Sequence, residues 1–312
     1  MRTLRLGKDE IPFKSCVVAL GFFDGVHLAH RELLRIAKEK ARALNAPAVA
    51  FTFPSESSEL KPSSLRLYST DEKLSLISER ALDFTLLADF SRVRDMSAEE
   101  FVSDILISVL GARRVVVGYN FTYGKDRSGN ADTLKSSLAG FGAECDIVEE
   151  MKLSGDTLST TFIKELLESG QLSQATKALG KPYFISGEVV RGNGVGRSLG
   201  SPTVNISLDN SRYNLPSGVY ATLTELDGVY YPSVTNLGEC PTLGRREIHA
   251  ETDILNFSGD LYGKSIRIYF LKYLRSEIEF PNEKELIKQI NIDKEAALRF
   301  TSEVSCQELG LN

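Results

Sequence analysis

Over the first 180 residues, short apolar runs alternate with longer stretches in which apolar positions recur every three or four residues. Cys16–Leu20 is a continuous apolar run that stops at Gly21-Phe22-Phe23-Asp24-Gly25, the pattern of a buried strand entering a tight turn. Leu33, Leu34, Ile36, Ala37 and Ala41 then fall at helical spacing among Arg, Glu and Lys, predicting a helix over Leu28–Leu44. A strand at Ala48–Phe53 is stopped by Pro54, a helix follows from Asp71, and Phe84–Ala88 is the next strand. Ser97-Ala98-Glu99-Glu100 has the form of a capping box and opens a predicted helix through Leu110. Arg114–Val117 is a further strand, leading into a glycine-bearing loop over Gly118–Gly129. Strands and helices alternating at this length predict an α/β domain with a parallel sheet, whose ligands bind beyond the carboxyl ends of the strands.

The pattern changes after Gly180-Lys181-Pro182. Tyr183–Arg191, Thr203–Ser207, Gly218–Leu226, Val229–Leu237, Ile248–Leu255 and Ser265–Leu274 are rich in Tyr, Val, Ile and Thr and are punctuated by Gly and Pro. Asp227-Gly228 between two of these runs is a strong hairpin signal. Short strands with frequent turns predict a small antiparallel β-barrel. Asn282–Ile290 and Asp293–Val304 read as two amphipathic helices that close it. The predicted organisation is therefore one domain over 1–180 and a second over 181–312, with no internal repeat.

Composition narrows the function classes. The 312 residues are 42% hydrophobic and 25% charged, as in globular proteins, and the net charge is −5. That charge gives no general attraction to nucleic acid or to an anionic membrane, and no aromatic-basic stripe appears. The four cysteines are widely separated and there are three histidines, a poor supply for a zinc cluster. Charges interrupt the first ten residues, and no apolar run approaches the roughly 18 residues that span a bilayer. The expectation is a cytoplasmic protein without membrane or nucleic-acid partners; a homo-oligomer is allowed.

Two stretches carry chemistry. His27 and His30, three residues apart at the mouth of a predicted helix, share one side of a turn where unpaired N–H groups favour an anion. Imidazoles there can donate hydrogen bonds to a phosphate; the plainer alternative is a pair of half-buried histidines that fix a loop. In the second half, Gly192, Gly194, Gly196 and Gly200 allow the backbone close to a phosphate, and Pro202-Thr203-Val204-Asn205 follows. This loop runs G-x-G-x-G into a proline, so it is not a dinucleotide-binding fingerprint. Gly259–Ser265 is one residue short of a phosphate-binding P-loop and leads into a strand, so it reads as a hairpin turn. Thr203 and Asn205 project to one side of an extended segment and offer hard oxygens suited to Mg²⁺; P-T-x-N alone would be an ordinary start of a strand.

Gly21-Phe22-Phe23-Asp24-Gly25-x-His27-x-x-His30 resembles the signature of the adenylyltransferase module of prokaryotic bifunctional FAD synthetases. Val116–Gly124 and Leu158–Lys164 resemble later blocks of the same module. Pro202-Thr203-Val204-Asn205 is similar to the P-T-A-N motif of riboflavin kinases, and Pro216–Tyr220, Thr235–Thr242 and Asp260–Lys264 resemble further blocks in family order. The resemblance implies a nucleotidyltransferase-like domain followed by a riboflavin kinase barrel. Riboflavin would be phosphorylated to FMN by the second domain and FMN adenylylated to FAD by the first, with ATP and Mg²⁺ in both steps.

The implied ATP site of the first domain comprises Phe23, Asp24, Gly25, His27, His30, Asn120, Ser159 and Thr160, with the two histidines on the phosphates. In the second domain the resemblance implies ATP contacts from Gly194, Gly196, Arg197 and Thr203, Mg²⁺ at Thr203 and Asn205, and Glu251 as general base. Glu251 would otherwise read as a water-facing strand residue. The family pattern has Gly at Ala29, Arg at Thr157 and at Lys164, and His at Asp253. The first three motivate a second reading, a riboflavin kinase with a weak or inactive adenylyltransferase domain. A third, a non-catalytic flavin or nucleotide sensor, has no use for a general base.

Overall fold

The computed structural model describes residues 1–56, 65–191, 203–208, 215–242 and 245–311, with backbone alone at 207–208, 239–242 and 245–248. By contacts the chain divides into two units, Met1–Thr160 and Thr161–Asn312.

The first unit is built on a six-stranded parallel sheet. Its strands are β1 (Arg2–Arg5), β2 (Cys16–Leu20), β3 (Ala48–Thr52), β4 (Phe84–Leu87), β5 (Ala112–Gly118) and, after two short strands, β8 (Glu144–Val148). The spatial order is β1-β4-β3-β2-β5-β8, so the chain winds one way from β2 through β3 and β4 and the other way through β5 and β8. The reversal falls between β2 and β5, the place where such sheets open a crevice. Every residue of β2 and of β3 is buried, which is why both read as unbroken apolar runs.

Helix α1 (Leu28–Ala43) buries Leu33, Leu34, Ala37 and Ala41, the face the spacing predicts. Helix α2 (Thr70–Ser78) starts at a capping box formed by Ser69 and Glu72, one residue before the predicted start. Helix α3 (Phe90–Arg94) follows β4. The capping box of Ser97 and Glu100 is present and opens α4 (Ala98–Glu100), but Phe101–Val109 continues as a π-helix instead of the predicted α-helix. Its β-branched Val102, Ile105, Ile107 and Val109 crowd an α-turn, and Ser108 Oγ donates to the carbonyl five residues back, at 2.7 Å. The predicted loop over 118–129 holds a ribbon of β6 (Thr122–Tyr123) and β7 (Gly129–Asn130). Helix α5 (Ala131–Gly140), then β9 (Lys152–Leu153) paired with β10 (Asp156–Thr157), complete this unit.

Helix α6 (Thr160–Glu168) starts at the boundary, and α7 (Leu172–Leu179), ending at the left-handed Gly180, follows it in the second unit. Its six strands are β11 (Phe184–Val190), β12 (Thr203–Leu208), β13 (Gly218–Leu226), β14 (Val229–Thr242), β15 (Arg245–Ile254) and β16 (Ser265–Arg275). They close an antiparallel barrel in the order β11-β12-β15-β14-β13-β16. The Asp227-Gly228 hairpin is present, with φ of 49° and 81°, the left-handed pair of a two-residue turn matched to strand twist. Gly259–Ser265 contains a turn but no hairpin, because β15 and β16 are not neighbours in the barrel.

Buried hydroxyls satisfy one another inside the barrel: Thr235 bonds Thr222 and Thr252, each at 2.9 Å, and Thr224 bonds Ser233 at 2.7 Å. The two helices predicted near the C-terminus are one, α8 (Glu283–Glu303). Asp293, expected to start a second helix, sits inside this one, where it takes Gln289 Nε2 and the Arg275 guanidinium.

Candidate active sites

The turn after β2 is built tightly. Phe23 is fully buried at φ 53°, Val26 is at φ 40°, and a Cβ at Gly21 would come within 2.9 Å of the Phe23 ring. Non-glycine residues at positive φ cost about 1–3 kcal/mol each and persist where the surroundings fix them. Here Thr52 Oγ1 donates to the Phe22 carbonyl at 2.9 Å, and Thr160 Oγ1 donates to the Asp24 carbonyl at 3.1 Å. The buried Asp24 carboxylate accepts the Leu67 N–H at 3.0 Å. Phe23, Asp24 and Gly25 therefore shape the turn and stand outside the cavity wall, whereas Phe22, His27 and His30 line the cavity.

The histidines stack face to face, with ring centroids 3.7 Å apart and planes 19° apart. His27 caps α1: its Nδ1 accepts the His30 N–H at 3.4 Å, which leaves the imidazole proton on Nε2. The Phe23 ring meets His30 edge-on at 5.4 Å. Burial, assisted by Arg31, lowers the pKa of His27 to about 4. Burial, then His27, then Lys73 hold His30 well below its ordinary value. Burial thus favours the neutral form of both rings near pH 7, in which each carries one N–H. His30 Nδ1 is buried with no hydrogen-bond partner among the described residues.

The cavity measures about 530 Å³. It lies at the carboxyl ends of β2 and β5, and its lining also includes Asn120, Ser159 and Thr160. Five of the eight residues expected in the first ATP site are thus brought to one cavity, and the other three support its turn. Ala29 puts its methyl in the wall. The Thr157 hydroxyl donates to Glu150 at 2.7 Å, and Lys164 lies in α6. Sequence reasoning missed Arg94 and Arg127, which line the cavity, and the fully buried Lys73 beneath it. No spacing rule marks these positions, because each reaches the site from an element remote in sequence.

In the barrel, strand register assembles the second site. Glu251 on β15 stands opposite Asn205 on β12 and Asn236 on β14, and Asp253 stands opposite Thr203. Thr203 Oγ1 donates to Glu251 Oε1 at 2.6 Å. Asn236 Nδ2 donates to Glu277 at 3.3 Å, while its Oδ1 is buried without a partner among the described residues. Asp253, where the family pattern has His, is ion-paired with Lys294 of α8 at 2.8 Å. His249 lies on the same strand face opposite Gly238. Thr203, Glu251, Asn236 and Asp253 line a cavity of about 330 Å³ whose apolar side is formed by Val219, Val234, Ile278, Phe280, Leu286 and Ile290. Asn205 is beside Glu251 but is not part of that wall. Gly194, Gly196 and Arg197 lie outside the described residues.

Two family models match the chain: FAD synthetase over residues 10–162 and riboflavin kinase over residues 179–301. The bifunctional riboflavin kinase/FMN adenylyltransferase of Bacillus subtilis is 34% identical, covering 92% of each chain. Its counterpart in Haemophilus influenzae is 33% identical over 92% of this chain and 94% of its own. A crystal structure described as a macrolide-efflux protein from Streptococcus pneumoniae is 30% identical, covers 95% of this chain and 99% of its own, and superposes with a TM-score of 0.85. Among the described residues no helix is long and apolar enough to cross a membrane. Matches to both enzyme families, in order and over most of the chain, do not favour a kinase with a vestigial first half. With the stacked histidines at the sheet's switch point and Glu251 held in the barrel, they lead to one assignment: the chain belongs to the bifunctional riboflavin kinase/FMN adenylyltransferase family.

Proposed function

We propose that the cavity beyond β2 and β5 is the site of adenylyl transfer and that the Glu251 cavity is the site of riboflavin phosphorylation, with the work divided between 1–180 and 181–312. The observation that carries the first assignment is the pair of neutral, stacked imidazoles at the start of α1, facing a cavity at the sheet's switch point. An FMN phosphate oxygen attacks the α-phosphorus of ATP, the bond from that phosphorus to the bridging oxygen breaks, and pyrophosphate leaves. His27 Nε2–H donates to phosphate oxygens as charge builds there, and His30 lines the same wall. A neutral donor avoids the cost of burying a second cation before the nucleotide arrives. Asn120, Ser159 and Thr160 hold the nucleotide.

In the barrel, Glu251 accepts the proton of the riboflavin 5′-hydroxyl as its oxygen attacks the γ-phosphorus of ATP and ADP departs. The residues fit Mg²⁺: the Thr203 hydroxyl and Asn205 amide are hard oxygen donors beside Glu251, and Asn236 Oδ1, without a partner among the described residues, adds a third opposite Glu251. Bound there with ATP, Mg²⁺ neutralises phosphate charge. Gly194, Gly196 and Arg197 are assigned to the ATP phosphates on the sequence motif. Riboflavin, FMN and ATP are the partners; nucleic acid and membrane are not, and the cytoplasm, where ATP is made, is the site of action.

The test is FAD formation from supplied FMN, ATP and Mg²⁺ by the wild-type chain and by His30→Ala. The variant should lose adenylyl transfer and keep riboflavin phosphorylation. Full adenylyl transfer by a folded His30→Ala chain would overturn the assignment of that cavity.

A further inference from the structure

Lys73, on α2, is a fully buried lysine outside both candidate sites. Its Nζ donates to the Phe53 carbonyl at 2.5 Å and to the Phe22 carbonyl at 3.3 Å, and it lies 4.6 Å from the centre of the Phe22 ring. Those carbonyls sit just beyond the carboxyl ends of β3 and β2, neighbouring parallel strands. Phe22 and Phe53 themselves stack at 6.1 Å and line the first cavity. Five residues after Phe22 the chain reaches His27. One ammonium thus ties together the two strand ends from which both the aromatic wall and the histidine turn are hung.

A buried ammonium is an expensive tie. Desolvating it costs several kcal/mol, and replacing a buried charge by an apolar side chain of similar size is often neutral or stabilising. The strain shows in its acidity: burial draws the pKa of Lys73 down to about 8, with Arg66 acting in the same direction and Asp24 and Glu56 opposing. Packing alone would be served as well by Met. What Met cannot supply is a pair of directed hydrogen bonds to two carbonyls at the rim of a reaction cavity.

We propose that Lys73 is a positioning residue for adenylyl transfer, fixing the separation of the β2 and β3 ends so that the Phe22/Phe53 wall and the His27/His30 pair face the nucleotide in register. The inference rests on the reading of that cavity as the adenylyl-transfer site. Misplacing a catalytic group by about 1 Å costs on the order of 100-fold in rate.

The experiment compares the full-length wild type, Lys73→Met and Lys73→Gln. Each is assayed for kcat and KM in FAD formation from FMN and ATP, for riboflavin phosphorylation, and for its thermal midpoint by circular dichroism. The expected result is a kcat for FAD formation reduced about 100-fold in Lys73→Met, with KM for ATP within about threefold. The thermal midpoint should be equal or higher, riboflavin phosphorylation unchanged, and Lys73→Gln, which keeps an N–H donor, intermediate in kcat. A folded Lys73→Met chain with kcat within threefold of wild type would overturn the proposal. So would loss of activity only in step with loss of the folded signal in both variants, since that would make Lys73 a structural residue. If the wild type itself formed no FAD, the reading of the cavity would fall first and this inference with it.

Discussion

Replacing Glu251 by Gln removes one negative charge from the barrel site and changes almost nothing else. The amide has the carboxylate's shape, and its oxygen can still accept the Thr203 hydroxyl that now sits 2.6 Å from Oε1. Keeping that hydrogen bond while losing its charge assistance should change stability by only about 1 kcal/mol. The chemistry should suffer far more, because an amide cannot take the proton of the 5′-hydroxyl. General-base catalysis by a positioned side chain contributes roughly 10²–10⁴-fold, so FMN formation should fall by that factor. The assay is chromatographic separation of riboflavin, FMN and FAD after incubation with ATP and Mg²⁺. FMN supplied directly serves as a second substrate, and its conversion to FAD should proceed at the wild-type rate, since the histidines belong to the other unit. A Glu251→Gln chain that makes FMN within threefold of wild type would refute the base assignment. A folded one that loses both reactions would refute the separation of the two sites.

Other consequences follow from buried charge. The pKa of His27 is depressed from its usual 6.5 to about 4, so the unfolded chain binds a proton that the folded chain refuses. The stability present above pH 6.5 is therefore lost as pH falls towards 4, by about 2–3 kcal/mol between pH 7 and 4.5. The urea midpoint should fall more steeply over that interval in wild type than in His27→Asn, and equal slopes would contradict the burial argument. Arg275 holds both carboxylate oxygens of Asp293, at 2.8–3.2 Å, and that carboxylate is only 6% exposed. Arg275→Met should cost about 3 kcal/mol in denaturant unfolding by stranding the buried charge, and adding Asp293→Leu should restore most of it. A double variant no more stable than the single one would show that packing, and not the stranded charge, sets the loss.

What the sequence made legible depended on how local the determinant was. Cys16–Leu20 is bounded as predicted because a strand buried on both faces can only be an apolar run, ended here by a glycine turn. The Asp227-Gly228 hairpin was equally legible, since only such a pair accepts two left-handed residues in succession. The C-terminal helix reads as two in the sequence because Asp293 resembles a cap; in the fold its carboxylate is occupied by Arg275, eighteen positions away on β16. The π-helix at Phe101–Val109 was invisible to helical periodicity, which does not separate four-residue from five-residue hydrogen bonding. Of the motif residues that share one strand or turn, His27 and His30 line the first cavity and Thr203 the second, while Asn205 stands beside Glu251 outside the wall. Asn236 and Arg127 carry no such signal: strand register brings in the first, and the turn between β6 and β7 the second. The neutrality of the histidines was also beyond sequence, since it is set by their burial.

Whether one chain carries two chemistries in two cavities can be decided by a single time course. Purified protein is incubated with riboflavin, ATP and Mg²⁺, and the flavins are separated at intervals. FMN should rise and then give way to FAD. FMN that accumulates without FAD, even when FMN is supplied from the start, would contradict that expectation and leave the His27/His30 cavity without a reaction.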